Sequence, residues 1–145
     1  MIYPSTIINV AIAREPAAVY AYVADLNNLP RWATTFCRSI RSEDGTWLME
    51  TSLGMMAIRL APENDLGVLD HYLTPPGGET IYVPMRVVTN GSGSELSFTL
   101  FRFPGVSDAD YAADAALVRQ DLDTLKGLLE QENEGDREIV TGSLH

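Results

Sequence analysis

The chain has 145 residues, of which 46% are hydrophobic and 21% charged, and its formal net charge is −10. This size and composition predict one folded domain with its own core, and they argue against disorder and against a membrane span of about 20 apolar residues. Seven of the ten net negative charges lie between Asp108 and Glu138, and such a charge opposes nucleic-acid phosphates. We therefore expect neither nucleic-acid binding nor membrane insertion.

The cysteine content and the first residues bear on where the protein works. Cys37 is the one cysteine, so an internal disulfide is excluded and a reducing compartment fits. The N-terminal segment has no basic region followed by a long apolar run, so a secretory signal is not expected. The predicted location is the cytoplasm.

The N-terminal third predicts one strand followed by two short helices. Residues 5–13, "STIINVAIA", alternate and are rich in β-branched side chains, as in a strand. A helix is predicted over residues 16–25, with Pro16 in its first turn. Pro30 interrupts that helix, and a second short helix is predicted over residues 29–36.

The middle of the chain predicts six more strands with turns between them. "RSIRSE" and "TWLMETS" flank the Asp44-Gly45 dipeptide, a strong hairpin signal. "MMAIRLA", "GVLDHYLT", "TIYVPMRVVT" and "ELSFTLFRF" follow, separated by glycine- and proline-rich turns. Their lengths and spacing are typical of an antiparallel meander.

The C-terminal segment predicts one long amphipathic helix that begins at Ser107 or Asp108. Its apolar side chains recur at intervals of three and four residues; they are Tyr111, Ala115, Val118, Leu122, Leu125 and Leu129. Residues 135–145 show no such period, so we predict a domain over residues 1–134 and a loose tail over residues 135–145.

These elements predict an α+β fold in which a seven-stranded curved antiparallel sheet wraps around the long C-terminal helix. Two short helices lie between strands 1 and 2. A sheet with one apolar face needs a cover, and the amphipathic helix supplies it. A curved sheet around a single helix leaves a hollow between them, which is a site for a small ligand.

Four features of the chain together carry a family resemblance: the element order, "NLPRW" after the first helix, "LDH" and "VPMRVV" in successive strands, and residues 100–130. By these features the chain resembles the START-like, polyketide cyclase/dehydrase-related (SRPBCC) superfamily. The resemblance covers about residues 5–132. It implies the helix-grip fold, and a role in binding lipids, hormones, quinones or polyketides, in catalysis, or in acting on partner proteins. It also implies that the second short helix lies near the cavity entrance.

Strand alternation predicts which side chains line the hollow. With Glu50, Arg59 and Asp70 assigned to the outer face, their neighbours turn inward. The predicted cavity residues are Trp32, Phe36, Trp47, Met49, Met56, Ile58, Leu60, His71, Leu73, Tyr82, Arg86, Tyr111, Ala115 and Val118. Any of these apolar residues could instead be ordinary core, and Trp32 is either a gate at the entrance or an anchor.

Two polar residues are candidates for chemistry. His71 could orient a ligand or act as an acid or base, or it could be a structural histidine bonded to the backbone. Arg86 could hold an anionic oxygen if it points inward together with Tyr82, or form a salt bridge with Asp70 if it points outward. Cys37 lacks a neighbouring base and is predicted to be inert. Neither metal-ligand spacing nor a phosphate-binding loop occurs, so no metal and no cofactor are expected.

The main functional hypothesis is a protein that binds a small, largely apolar molecule such as a lipid, quinone or polyketide. The resemblance implies an alternative, a cyclase or dehydratase in which His71 is the base and Arg86 stabilises an enolate. A weaker alternative is a module that interacts with a partner protein. The apolar faces of "TIYVPMRVV" also permit a homodimer.

Overall fold

The elements follow one another in the predicted order. A computed structural model describes the backbone of residues 1–143 and the side chains of residues 1–131. The strands are β1 (Ser5–Ile12), β2 (Ser39–Glu43), β3 (Thr46–Thr51), β4 (Gly54–Leu60), β5 (His71–Thr74), β6 (Ile81–Val83), β7 (Met85–Asn90) and β8 (Gly93–Phe101). The helices are α1 (Pro16–Ala24), α2 (Leu29–Trp32) and α3 (Asp108–Ser143), and a 3₁₀ turn, Leu26–Asn28, links α1 to α2.

The strands form two antiparallel sheets that meet at a seam. One sheet has the order β1-β8-β7 and the other β2-β3-β4-β5-β6. Backbone hydrogen bonds join β7 to the segment just before β5: the Leu69 N–H donates to the Met85 carbonyl at 2.8 Å, and the Val87 N–H donates to the Gly67 carbonyl at 2.9 Å. The α+β class with antiparallel strands around a long helix is confirmed, and the strands form two sheets instead of the predicted single sheet.

The strand count differs from the prediction because of Pro84. The segment predicted as one strand over residues 80–89 divides into β6 and β7, which pair with β5 and β8 respectively. Proline has no N–H to donate to a ladder, so a strand interior does not tolerate it. The described residues therefore contain eight strands instead of the predicted seven.

Helix α3 covers the sheet unevenly. The Ser107 hydroxyl accepts a hydrogen bond from the Asp110 N–H at 3.1 Å and so caps the helix. Leu122, Leu125 and Leu129 are fully buried. Three members of the same apolar stripe nearer the N-terminus, Tyr111, Ala115 and Val118, are only half-buried. The first turns of α3 therefore lie over space that the core does not fill.

Helix α2 is shorter than predicted, ending at Trp32 instead of Phe36. The backbone leaves helical geometry at Ala33, where φ is −87° and ψ is 49°. Both the N–H and the hydroxyl of Thr35 donate to the Asp121 carboxylate, at 3.1 and 2.7 Å. This contact replaces the hydrogen bond that the Thr35 N–H would have made in a further helical turn, and it ties the segment after α2 to α3.

Two observations concern membrane-spanning helices and the predicted C-terminal tail. None of the helices among the described residues is both long and apolar enough to cross a bilayer. The proposed division into a domain over residues 1–134 and a loose tail over residues 135–145 has its boundary outside the described side chains, and it stays a prediction.

Candidate ligand-binding cavity

A cavity of about 340 Å³ lies beneath the first half of α3. Its volume falls within the range of small-molecule sites in proteins, about 300–1,000 Å³. Side chains from α2, α3 and both sheets enclose it. The lining residues are Leu29, Trp32, Ala33, Thr35, Phe36, Met49, Leu53, Met56, Ile58, His71, Leu73, Ile81, Val83, Phe98, Leu100, Phe101, Phe103, Val106, Tyr111, Asp114, Leu117, Val118, Asp121 and Leu122.

The floor of the cavity is apolar and adaptable. Met49 of β3 lies directly opposite Met56 of β4 in the antiparallel register, and Ile58 of β4 continues the same face. All three are at least 95% buried. Methionine is unbranched and polarisable, so paired methionines can reshape a wall around differently shaped apolar groups.

His71 brings a polar edge to the cavity wall. Its Nδ1 lies 3.1 Å from the Leu69 carbonyl oxygen. Since a carbonyl can only accept, Nδ1 carries the proton. Desolvation by burial lowers the pKa of His71, which the Leu69 carbonyl and the nearby Asp70 charge only partly oppose. The imidazole is therefore neutral at pH 7, and its Nε2 offers a lone pair.

Trp32 brings a hydrogen-bond donor without an acceptor. The side chain is 6% exposed, and its indole Nε1 is the one buried side-chain nitrogen or oxygen among the described residues that lacks a hydrogen-bond partner. Buried N–H groups are paired in the great majority of cases, so an unpaired one on a cavity wall marks a place where a ligand atom could bind.

Asp121 is a buried carboxylate at the same cavity. It is 7% exposed and accepts both hydrogen bonds from Thr35. Desolvation raises the pKa of Asp121, and the two Thr35 bonds offset part of that shift. Its first role is structural, because it fixes the segment after α2. It also places an acidic group beside any bound molecule.

Exposed leucines surround the mouth of the cavity. Leu53, in the turn between β3 and β4, is 75% exposed, and Leu117 of α3 is 45% exposed. Both line the cavity, together with Asp114 of α3. An apolar ligand could therefore contact leucine side chains before it is fully enclosed.

Solved structures of low sequence identity share this architecture. The protein XoxI from Bacillus cereus is 17% identical with a TM-score of 0.69, over 89% of this chain and 97% of that one. A START superfamily protein from Mycobacterium smegmatis is 13% identical with a TM-score of 0.64, over 88% and 97%. The di-domain ARO/CYC StfQ from the steffimycin biosynthetic pathway is 15% identical with a TM-score of 0.65, over 89% of this chain and 46% of that one.

The chain has the helix-grip fold. The resemblance stated from the sequence is thereby confirmed at the level of fold. No family model matches the chain, and no curated protein is found to match it. Identities of 13–17% show the fold alone, so function has to be argued from the cavity.

The structure brings most of the predicted cavity residues together. Those that line the cavity are Trp32, Phe36, Met49, Met56, Ile58, His71, Leu73, Tyr111 and Val118. Strand alternation and the helical stripe had placed all of these except Trp32 and Phe36 on one surface. Whether they contact a ligand stays a prediction.

Arg86 and Tyr82 do not line the cavity, contrary to the sequence-based list. Arg86 Nη2 lies 3.0 Å from Asp70 Oδ2, and the Tyr82 hydroxyl donates to the same oxygen at 2.8 Å. This is the outward arrangement that the sequence left open for Arg86. The reason is that Ile81, Val83 and Met85 form the apolar face of these strands and turn the alternate residues outward. His71 and Arg86 therefore do not face the cavity together, as the hypothesis of a base and an enolate-stabilising group required.

Asp70 is buried, although it was assigned to a solvated outer face. It accepts hydrogen bonds from Tyr82, from Arg86 and, at 2.9 Å, from the backbone N–H of Met85. Burial alone would raise the pKa of Asp70, but the hydrogen bonds from Arg86, Met85 and Tyr82 outweigh it and hold the pKa below its usual range.

Three further predicted residues lie elsewhere. Trp47 and Leu60 line a second, more open groove of about 570 Å³ that also includes Arg59 and Tyr72. Ala115 packs against the core. Trp47 lies opposite Ile58 in the register, and Ile58 lines both the groove and the cavity, so Trp47 and Leu60 lie beyond the cavity on the continuation of its floor.

Cys37 is not a reactive thiol, and the described residues contain no arrangement of metal ligands. Cys37 is 2% exposed, and desolvation raises the pKa of its thiol to about 11. Among the described residues, no group of three or more His, Cys, Asp or Glu is arranged to hold a metal ion.

Several lining residues were missed by sequence reasoning, although some carried a usable signal. Phe98 and Leu100 lie at every second position of β8 after the fully buried Leu96, so they share its face of the strand. Asp121 follows Val118 by three residues, which places it beside the apolar stripe of α3. Phe103 and Val106 lie after β8 in irregular backbone, where no period applies.

Proposed function

We propose that this protein binds a small, largely apolar molecule in the cavity beneath α3. The observation that carries the proposal is the hollow itself, whose floor of Met49, Met56 and Ile58 is apolar and whose roof of Tyr111 and Val118 is left half-buried. A ligand would remove from water the apolar surface that the roof still exposes, at roughly 25 cal/mol per Å² of apolar area.

The test is a fluorescence titration with the neutral apolar dye N-phenyl-1-naphthylamine. The dye itself is excited, so that changes at tryptophan residues do not alter the signal. We expect saturable binding of one dye per chain. Val118→Trp, which fills the cavity from α3, should weaken binding at least tenfold. The matched control is Val88→Trp on the outer face of β7, where Val88 is 55% exposed. Equal loss in both variants, or undiminished binding in Val118→Trp, would refute the proposal.

The same preparations allow a search for the natural ligand. Native mass spectrometry, followed by denaturing extraction, would identify a molecule retained from the cell. A lipid, quinone or polyketide-like compound that is present in the wild type and absent from Val118→Trp would support binding at this cavity and name the ligand class.

A second candidate is an enzyme of the cyclase or dehydratase kind that uses the same cavity. The observation that favours it is the presence of two titratable groups with shifted pKa values, His71 and Asp121, in the lining of one cavity. Neutral His71 could accept a proton through Nε2, without help from Arg86. The test incubates a bound polyketide-like compound with the wild type and with His71→Phe. Recovery of a dehydrated or cyclised product from the wild type, and of the unchanged compound from His71→Phe, would support catalysis.

A further inference from the structure

The polar groups that line the cavity are few and of opposite hydrogen-bonding type. Trp32 Nε1–H can only donate, and it has no acceptor. His71 Nδ1 is committed to the Leu69 carbonyl, so Nε2 of the neutral ring can only accept. Tyr111, by contrast, already donates to the Leu100 carbonyl at 2.7 Å. Among the uncharged lining groups, one donor and one acceptor are therefore left without a protein partner.

The charges at the cavity are all of one sign. Among the described lining residues there is no Lys or Arg, whereas Asp114 and Asp121 are both present. Asp121 is 7% exposed, so water screens its charge less than it would at the surface. A ligand carboxylate would enter without a cationic partner and close to carboxylates of the same sign, which disfavours fatty acids and other anions.

We propose that the ligand is an uncharged, largely apolar molecule bearing a hydroxyl that donates to His71 Nε2 and an oxygen that accepts from Trp32 Nε1–H. This inference rests on the proposed function and adds the chemical class of the ligand. Burying the Trp32 N–H without a partner is costly, and a ligand oxygen relieves that cost. A purely hydrocarbon ligand would leave both groups unpaired.

The test compares four naphthalenes by calorimetric titration at pH 7. Naphthalene is the apolar reference, 2-methoxynaphthalene adds an acceptor, 6-methoxy-2-naphthol adds a hydroxyl donor to that acceptor, and 2-naphthoate adds a charge. We expect 2-methoxynaphthalene to bind about fivefold tighter than naphthalene, and 6-methoxy-2-naphthol about fivefold tighter again, as single net hydrogen bonds would give. 2-Naphthoate should bind more weakly than naphthalene.

Variants assign each preference to one side chain. Trp32→Phe should abolish the advantage of 2-methoxynaphthalene over naphthalene, and His71→Phe should abolish the advantage of 6-methoxy-2-naphthol over 2-methoxynaphthalene. Ratios between ligands are compared within each variant, so a general loosening of the cavity cancels. The control is Trp47→Phe, outside this cavity, which should keep both preferences.

A second readout does not require a change at Trp32. In ¹⁵N-labelled protein the Trp32 indole signal, identified by its persistence in Trp47→Phe, should move downfield with 2-methoxynaphthalene and not with naphthalene. Naphthalene binding without either preference, or preferences that survive both variants, would overturn this inference and leave the proposed function standing. Failure of every naphthalene to bind would overturn both.

Discussion

Asp70 offers a quantitative test of the seam between the two sheets. Asp70→Ala removes the acceptor of the Met85 backbone N–H, a hydrogen bond of 2.9 Å inside the protein. Leaving a buried N–H unpaired costs about 1–3 kcal/mol. Tyr82 and Arg86 are exposed and turn to water instead, so they add little. We expect a loss of about 2 kcal/mol, or roughly 5–10 °C in Tm for a chain of this size.

The assay is urea unfolding of wild type and three variants. Asp70→Asn keeps an oxygen for the Met85 N–H and should lose less than Asp70→Ala. Asp65→Ala changes an exposed loop aspartate and should lose nothing measurable. Because the folded pKa of Asp70 is depressed, its stabilising effect is present above the unfolded pKa of about 3.9 and is lost as pH falls below it. Equal stability of Asp70→Ala and wild type at pH 7 would refute the reasoning.

Three further predictions follow from single residues. Cys37, with a pKa of about 11, should react with a disulfide reagent at pH 8 about a hundredfold more slowly in native than in unfolded protein; equal rates would show the thiol to be exposed. Gly67→Ala should cost about 2 kcal/mol or more in urea unfolding, because φ is +73° and an added Cβ would lie 2.1 Å from the Val87 carbonyl oxygen. Gly77→Ala, also at positive φ but in open space, should cost only about 1 kcal/mol, and equal losses would contradict this reading. His71 has a lowered folded pKa, so stability should fall as pH drops below about 6.5, the unfolded value; an unchanged pH slope in His71→Phe would contradict its burial.

Periodicity located the cavity floor but could not locate residues where two faces look alike. Met49 and Ile58 each precede a charged residue, Glu50 and Arg59, so one face of each strand was evidently apolar. Around Arg86 the two readings remained open, because Ile81, Val83 and Met85 form an equally apolar opposite face. In the structure Met85 is buried and Arg86 is exposed.

Long-range hydrogen bonds account for most of what the sequence could not show. From the sequence, Asp70 was assigned to the solvent-facing side. Its hydrogen-bond partners, Met85 and Arg86, lie fifteen and sixteen residues away along the chain. The end of α2 depends in the same way on Thr35 meeting Asp121, eighty-six residues later. Such partners leave no local pattern, whereas the stripe of α3 does, and this is why the helix was predicted and its polar flank was not.

The central claim, that an apolar molecule occupies the cavity beneath α3, is tested most directly by ¹³C-methyl NMR of the methionines. Met49 and Met56 line the cavity, whereas Met85, 1% exposed, is buried outside it. On titration with N-phenyl-1-naphthylamine, the Met49 and Met56 signals should shift together and saturate at one dye per chain, and the Met85 signal should stay in place. Saturable binding that leaves Met49 and Met56 unmoved would contradict the account.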